Sequence, residues 1–100
     1  MFEIHWSTLA EETFAEEGYF ILRKWNVDEV EKFSILVYDY IDCLNKNPTI
    51  GVFISKYNVY SIVISKQTTL YYRILEDKNQ IDLILFWNNK RNPKELLKLL

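Results

Sequence analysis

The chain has 100 residues, 49% of them hydrophobic and 16% aromatic, enough to bury one core without disulfides or metals. Two glycines, two prolines and a single cysteine, Cys43, exclude a flexible linker, a disordered tail and an intramolecular disulfide, so residues 1–100 are expected to form one domain. A net charge of −2 and a pI of about 5.4 exclude a chain-wide attraction for nucleic acid, and apolar runs such as Ile81–Trp87, interrupted by Asp82, fall short of the ~20 residues a membrane helix needs.

Phe2, Ile4 and Trp6 alternate with Glu3 and His5, which predicts a half-buried first strand. Thr8 followed by Glu11 three residues on is a capping-box pattern opening a helix. Phe14, Gly18, Ile21 and Trp25 recur on one stripe of that helix, with Gly18 expected at a close helix crossing. Asn26 with Glu29 repeats the capping logic for a second helix, whose stripe runs through Val30, Phe33, Val37, Ile41 and Leu44 to a stop at Asn47-Pro48. Residues 8–46 therefore read as a helical hairpin.

The pattern then changes to β-branched and aromatic runs. Val59–Ser65, Thr69–Glu76 and Ile81–Trp87 are expected to be three strands of an antiparallel meander, joined through Lys66–Thr68 and Asp77–Gln80, with a shorter extended piece at Val52–Ile54. Alternation places Ile81, Leu83, Leu85 and Trp87 on one face and Asp82 on the other. Pro93 and the Leu96, Leu97, Leu99, Leu100 cluster predict a short closing helix. The order is β-α-α-β-β-β-α, a two-layer α+β domain with a helical hairpin on a mainly antiparallel sheet.

Charge is unevenly distributed. Residues 1–50 hold 10 Asp/Glu and 4 Lys/Arg, a net of −6, while residues 51–100 hold 4 and 8, a net of +4. Either acidic and basic faces or ordinary solvated helix surfaces account for this. Lys90 and Arg91 follow a hydrophobic strand and precede Pro93, where an arginine fork can bind a phosphate or carboxylate; the plainer reading pairs Arg91 with an acid of the hairpin. Arg73 reads as a cross-strand partner of Asp82, His5 as a polar strand-face residue, and Cys43 as an inert, partly buried thiol. No spacing suggests a metal site or a cofactor. Tyr19, Phe20, Trp25, Tyr38, Tyr40 and Tyr57 exceed what one core of this size holds, so some are expected on the surface as anchors for a protein partner.

Several phrases in order, Ile4-His-Trp-Ser7 leading into a helix, Trp25 at its end, Asn47-Pro48-Thr-Ile-Gly51, Leu70-Tyr-Tyr-Arg-Ile74 and Leu85-Phe-Trp-Asn-Asn-Lys-Arg-Asn-Pro93, resemble the RelE/ParE toxins of bacterial type II toxin–antitoxin systems over nearly the whole chain. The resemblance implies a cytoplasmic toxin held by a cognate antitoxin and linked to plasmid stabilisation. RelE-like members cut messenger RNA on the ribosome; ParE-like members inhibit DNA gyrase. Of the groups the RelE-like nucleases use, Arg91 with Lys90 is matched. Thr69 stands at an expected arginine, Leu97 near an expected tyrosine, Asn88 or Asn89 at a histidine, and Lys56 only lies close to a lysine pair. The resemblance thus implies a ParE-like toxin more than a nuclease, the alternatives being a RelE-like endonuclease with Arg91, Lys90 and Arg73 as its catalytic candidates, or an inactive toxin that only binds. The expected target surface is Trp87, Asn89, Lys90, Arg91 and Lys94; the expected antitoxin surface is Tyr19, Phe20, Trp25 and Tyr38.

Overall fold

The computed structural model describes residues 1–100. Strand β1 (Glu3–Trp6) leads into helices α1 (Thr8–Lys24) and α2 (Val27–Lys46), followed by β2 (Val52–Ile54), β3 (Val59–Val63), β4 (Thr68–Leu75), β5 (Gln80–Asn88) and the short α3 (Pro93–Leu97). The five strands form one sheet in the order β1-β5-β4-β3-β2, in which β1 runs parallel to β5 and the other three pairings are antiparallel. Both helices of the hairpin pack on one face of this sheet, the two-layer α+β arrangement that the hydrophobic periods predict.

Asn26 caps α2 as expected, its side chain accepting from Glu29 N at 3.0 Å. The cap of α1 is Ser7, one residue before the expected Thr8. Ser7 is held extended because its N–H continues the parallel ladder to Leu83 O at 3.1 Å, leaving its hydroxyl to accept from Ala10 N at 2.9 Å. The two helices meet loosely at Gly18. A Cβ there lies 3.9 Å from Val30 Cγ1, an ordinary contact, so the close crossing expected at Gly18 is absent.

Close approach occurs instead at Gly51. A Cβ at this position lies 2.6 Å from Tyr72 Oη and 2.7 Å from Ser61 O. Tyr72 is fully buried; its hydroxyl accepts from Gly51 N and donates to Pro48 O, tying the end of the hairpin to the sheet. Burial, with a smaller contribution from the neighbouring Tyr60, pushes the Tyr72 phenol up to about 12, although the Gly51 N–H works in the opposite direction.

The alternation expected along β5 breaks in the middle. Tyr71 pairs with Leu85 but Tyr72 with Leu83, so Ile84 is an extra residue, a β-bulge. One inserted residue exchanges faces. Ile81, Leu83 and Phe86 therefore enter the main core with Phe33, Val37, Ile41, Leu44, Leu70 and Tyr72, whereas Leu85 and Trp87 turn to the far face and pack with Leu96 of α3. The four residues do not share one face. The cap of α1 and its second turn satisfy the irregular backbone of β5 where β1 has ended: Ser7 Oγ donates to Ile84 O at 2.8 Å, and Phe86 N donates to Thr13 Oγ1 at 2.9 Å.

No helix is long and apolar enough to cross a membrane.

Candidate functional site

Because of the bulge, Asn88 emerges on the hairpin side of the sheet, facing α1. The face that α1 buries consists of Ala10, Thr13 and Glu17, with Phe14 and Ile21 beside them. The expected stripe through Trp25 is thus rotated, and Trp25, which ends the helix in a non-helical conformation, is 62% exposed. Glu17 is a charged residue only 5% exposed. Thr68 Oγ1 donates to its Oε1 at 2.5 Å and Asn88 Nδ2 to its Oε2 at 3.2 Å. Its carboxylate therefore joins α1 to the beginning of β4 and the end of β5.

Asn88 passes this constraint to the basic turn. Its Oδ1 accepts from Lys90 N at 3.0 Å and its carbonyl from Arg91 N at 3.0 Å. Asn89 anchors the same turn to the β3–β4 loop: its N–H donates to Gln67 O, its Nδ2 to Lys66 O, and its Oδ1 accepts from Thr69 Oγ1 at 2.7 Å. The turn carrying Lys90 and Arg91 is consequently fixed from both sides. The sequence points to these two cations but not to Glu17, Thr68 or Arg23.

A cleft of about 440 Å³ opens between α1 and the end of β5, lined by Glu16, Glu17, Phe20 and Arg23 on one side and Asn88, Lys90 and Arg91 on the other. Arg91 pairs with Glu95 of α3 at 3.1 Å, not with an acid of the hairpin, and its guanidinium lies 4.5 Å from the centre of the Trp87 ring. Lys94 is exposed in the first turn of α3, where Asn92 caps its backbone N–H. Of the expected target residues, Asn89, Lys90, Arg91 and Lys94 are exposed at one end of the sheet, whereas Trp87 is buried against Leu85 and Leu96 and offers no contact surface.

Arg73 stands elsewhere. It faces Asp82 across the strands, but its guanidinium donates to Tyr57 O and Asn58 O, and Asp82 takes a bond from Gln80. The expected Arg73–Asp82 ion pair is not formed, because the turn carbonyls after β2 reach the guanidinium and have no other donors. His5 is exposed and bonds Glu3 at 2.7 Å. Cys43 is also exposed rather than partly buried, since it lies off the buried stripe of α2.

The partner-anchor candidates do not form one patch. Tyr19 is 62% exposed and borders the α1–β5 cleft with the half-buried Phe20; Lys24 Nζ lies 5.8 Å from the Phe20 ring centre and 5.6 Å from that of Trp25. Tyr38 lies apart, 53% exposed, tilted against Trp6 and edge-on to Phe14.

On the face away from the hairpin, the strand residues at the centre are Ser61 of β3, Thr69 and Tyr71 of β4, and Leu85 and Trp87 of β5. Burial raises the Tyr71 phenol above its ordinary range. The cation of this face within the strands is Arg73, already bound to backbone carbonyls. Lys56 lies in the β2–β3 turn, its Nζ 5.6 Å from the Tyr57 ring centre.

No family model and no curated protein matches the sequence. Among solved structures, the chain is similar to the isolated E. coli RelE toxin, with a TM-score of 0.63 and 14% identity over the whole of both chains. It is also similar to a chain of the intact E. coli RelBE toxin–antitoxin complex, with a TM-score of 0.57 and 15% identity over 91% of this chain and all of that one. The fold is RelE-like. At these identities the fold is shared while most side chains differ. What the cleft and the far face can do therefore depends on this chain's own residues.

Proposed function

We propose that this chain is the toxin of a toxin–antitoxin pair and acts in the ParE-like manner, by binding a protein target, DNA gyrase, rather than by cutting RNA. The RelE-like fold over its full length supports the toxin reading. A likeness to a chain of a toxin–antitoxin complex, together with exposed Tyr19, Trp25 and Tyr38, supports an antitoxin partner.

The observation that carries the choice of mechanism is the chemistry of the sheet face away from the hairpin, where Leu85 and Trp87 are buried under α3. Cleaving RNA by attack of a 2′-hydroxyl requires cations placed around a phosphate as its charge develops, and each missing donor costs ~10²–10³ in rate. Here the expected arginine position is Thr69, whose hydroxyl is bonded to Asn89, and Arg73 is engaged by two carbonyls. Lys90 and Arg91 remain, and they are the basis of a second reading, a RelE-like ribosome-dependent endonuclease, which the similarity to RelE itself favours. The test is expression with and without the neighbouring open reading frame, followed by a supercoiling assay with purified gyrase. Growth arrest relieved by the neighbour and loss of supercoiling support the proposal; arrest with supercoiling intact overturns the gyrase assignment, and no arrest overturns the toxin reading.

A further inference from the structure

The cleft between α1 and the end of β5 has a composition that selects its ligand. Arg23, Lys90 and Arg91 line it from two separate elements. Of these only Arg91 is in an ion pair, with Glu95; Arg23 and Lys90 have no carboxylate partner. The Glu17 carboxylate, at the bottom of the cleft, has both oxygens occupied by Thr68 and Asn88. Phe20 and Tyr19 supply an apolar wall, and Lys24, stacked beside Phe20, adds a further positive charge one residue from Arg23.

We propose that this cleft receives the carboxylate of an acidic side chain on a partner protein, from a segment in which acidic and apolar residues adjoin. Arg23 and Lys90 supply the attraction, and Phe20 and Tyr19 bury the flanking apolar residues. Charge complementarity of this kind fixes register and partner choice. A nucleic acid strand fits less well. Its affinity comes from neutralising successive phosphates along a continuous basic track, whereas Glu16 lines this cleft, Glu95 neutralises Arg91, and the chain carries a net −2. One anion with apolar shoulders is what the cleft can hold. That the segment belongs to an antitoxin rests on the toxin reading above; the carboxylate chemistry does not.

The test is a nitrogen-15 NMR titration of the full chain with three probes: the capped peptide acetyl-Leu-Glu-Leu-Asp-Leu amide, its Gln/Asn counterpart, and hexauridylate. The expected result is that the acidic peptide shifts the Lys90 and Arg91 backbone amides and the Asn88 side-chain amide, and the neutral peptide does so far less. Arg23→Gln combined with Lys90→Gln weakens binding about tenfold, the sum of two exposed charge pairs. Both side chains are exposed, and unchanged dispersion elsewhere in the spectrum verifies the fold of the variant. No response, an equal response to the neutral peptide, a response centred outside the cleft, or tighter binding of hexauridylate overturns the proposal. Growth arrest is read separately: a chain that arrests growth without binding the peptide sinks only this inference, and one that binds the peptide without arresting growth sinks only the toxin reading.

Discussion

Removing the Glu17 carboxylate is predicted to weaken both the fold and the basic turn. In Glu17→Ala, Thr68, which is fully buried, loses the acceptor of its hydroxyl, and Asn88 loses the acceptor of its amide. A bond to a charged group contributes about 1.5–3 kcal/mol, but half-buried Asn88 regains water, so the expected loss is about 3 kcal/mol. For a domain of this size that lowers Tm by on the order of 15 °C. Glu17→Gln is the finer probe. The amide introduced there keeps an oxygen for Thr68 but points its NH₂ at the Asn88 NH₂. Asn88 can turn over only by taking its oxygen from Lys90 N, and the cost is about 1–2 kcal/mol. Asn88→Asp alone sets two carboxylates against each other. Combining Glu17→Gln with Asn88→Asp exchanges donor for acceptor, so that Thr68, position 17, position 88 and Lys90 N are all paired again. Urea unfolding of the four proteins should give a favourable coupling of at least about 1 kcal/mol. A double variant no more stable than the sum of the two single losses would falsify the claim that Glu17 holds the turn through Asn88.

Gly18→Ala is predicted to raise stability by about 0.5–1 kcal/mol in chemical denaturation, because α1 gains a helix former and the new Cβ meets only Val30 at an ordinary distance. Unchanged or lower stability contradicts the loose crossing. Gly51→Ala is predicted to lose about 1–3 kcal/mol, since its Cβ collides with Tyr72 Oη and the Ser61 carbonyl; a neutral result contradicts that packing. The Tyr72 phenol titrates near 12 in the folded chain against 10.0 unfolded, so its contribution to stability is complete below pH 10 and is lost as pH rises through about 12. Denaturation followed against pH should show this alkaline loss, and Tyr72→Phe should reduce it; an equal loss in the variant assigns the effect to other groups.

The hairpin and the three later strands are legible because their signals are local. Apolar residues recur at helical spacing through Phe33, Val37, Ile41 and Leu44, Asn26 supplies a cap, and β-branched and aromatic runs alternate with polar turns. The far face and the cleft are not legible for the opposite reason. A bulge at Ile84 depends on where β1 ends and α1 begins, and it reverses the faces of Leu85, Phe86 and Trp87. Glu17 looks solvated in the sequence because the two donors that justify its burial lie 51 and 71 residues away. One signal is present: Ala10, Thr13 and Glu17 recur at spacings of 3 and 4, a second stripe with no large apolar residue, which a helix tucked closely against a sheet can bury. Arg73 is a similar case. Its register opposite Asp82 is as expected, but turn carbonyls brought in by Asn58, which has a positive φ of 53°, compete successfully for the guanidinium.

Primer extension on ribosome-bound messenger RNA, after induction of the chain, separates gyrase binding from RNA cleavage. Gyrase binding predicts growth arrest in the wild type, weakened in Arg91→Ala, with no cuts in the ribosomal A site in either. Reproducible A-site cuts in the wild type, lost in Arg91→Ala, would contradict it and assign the chain to the nucleases.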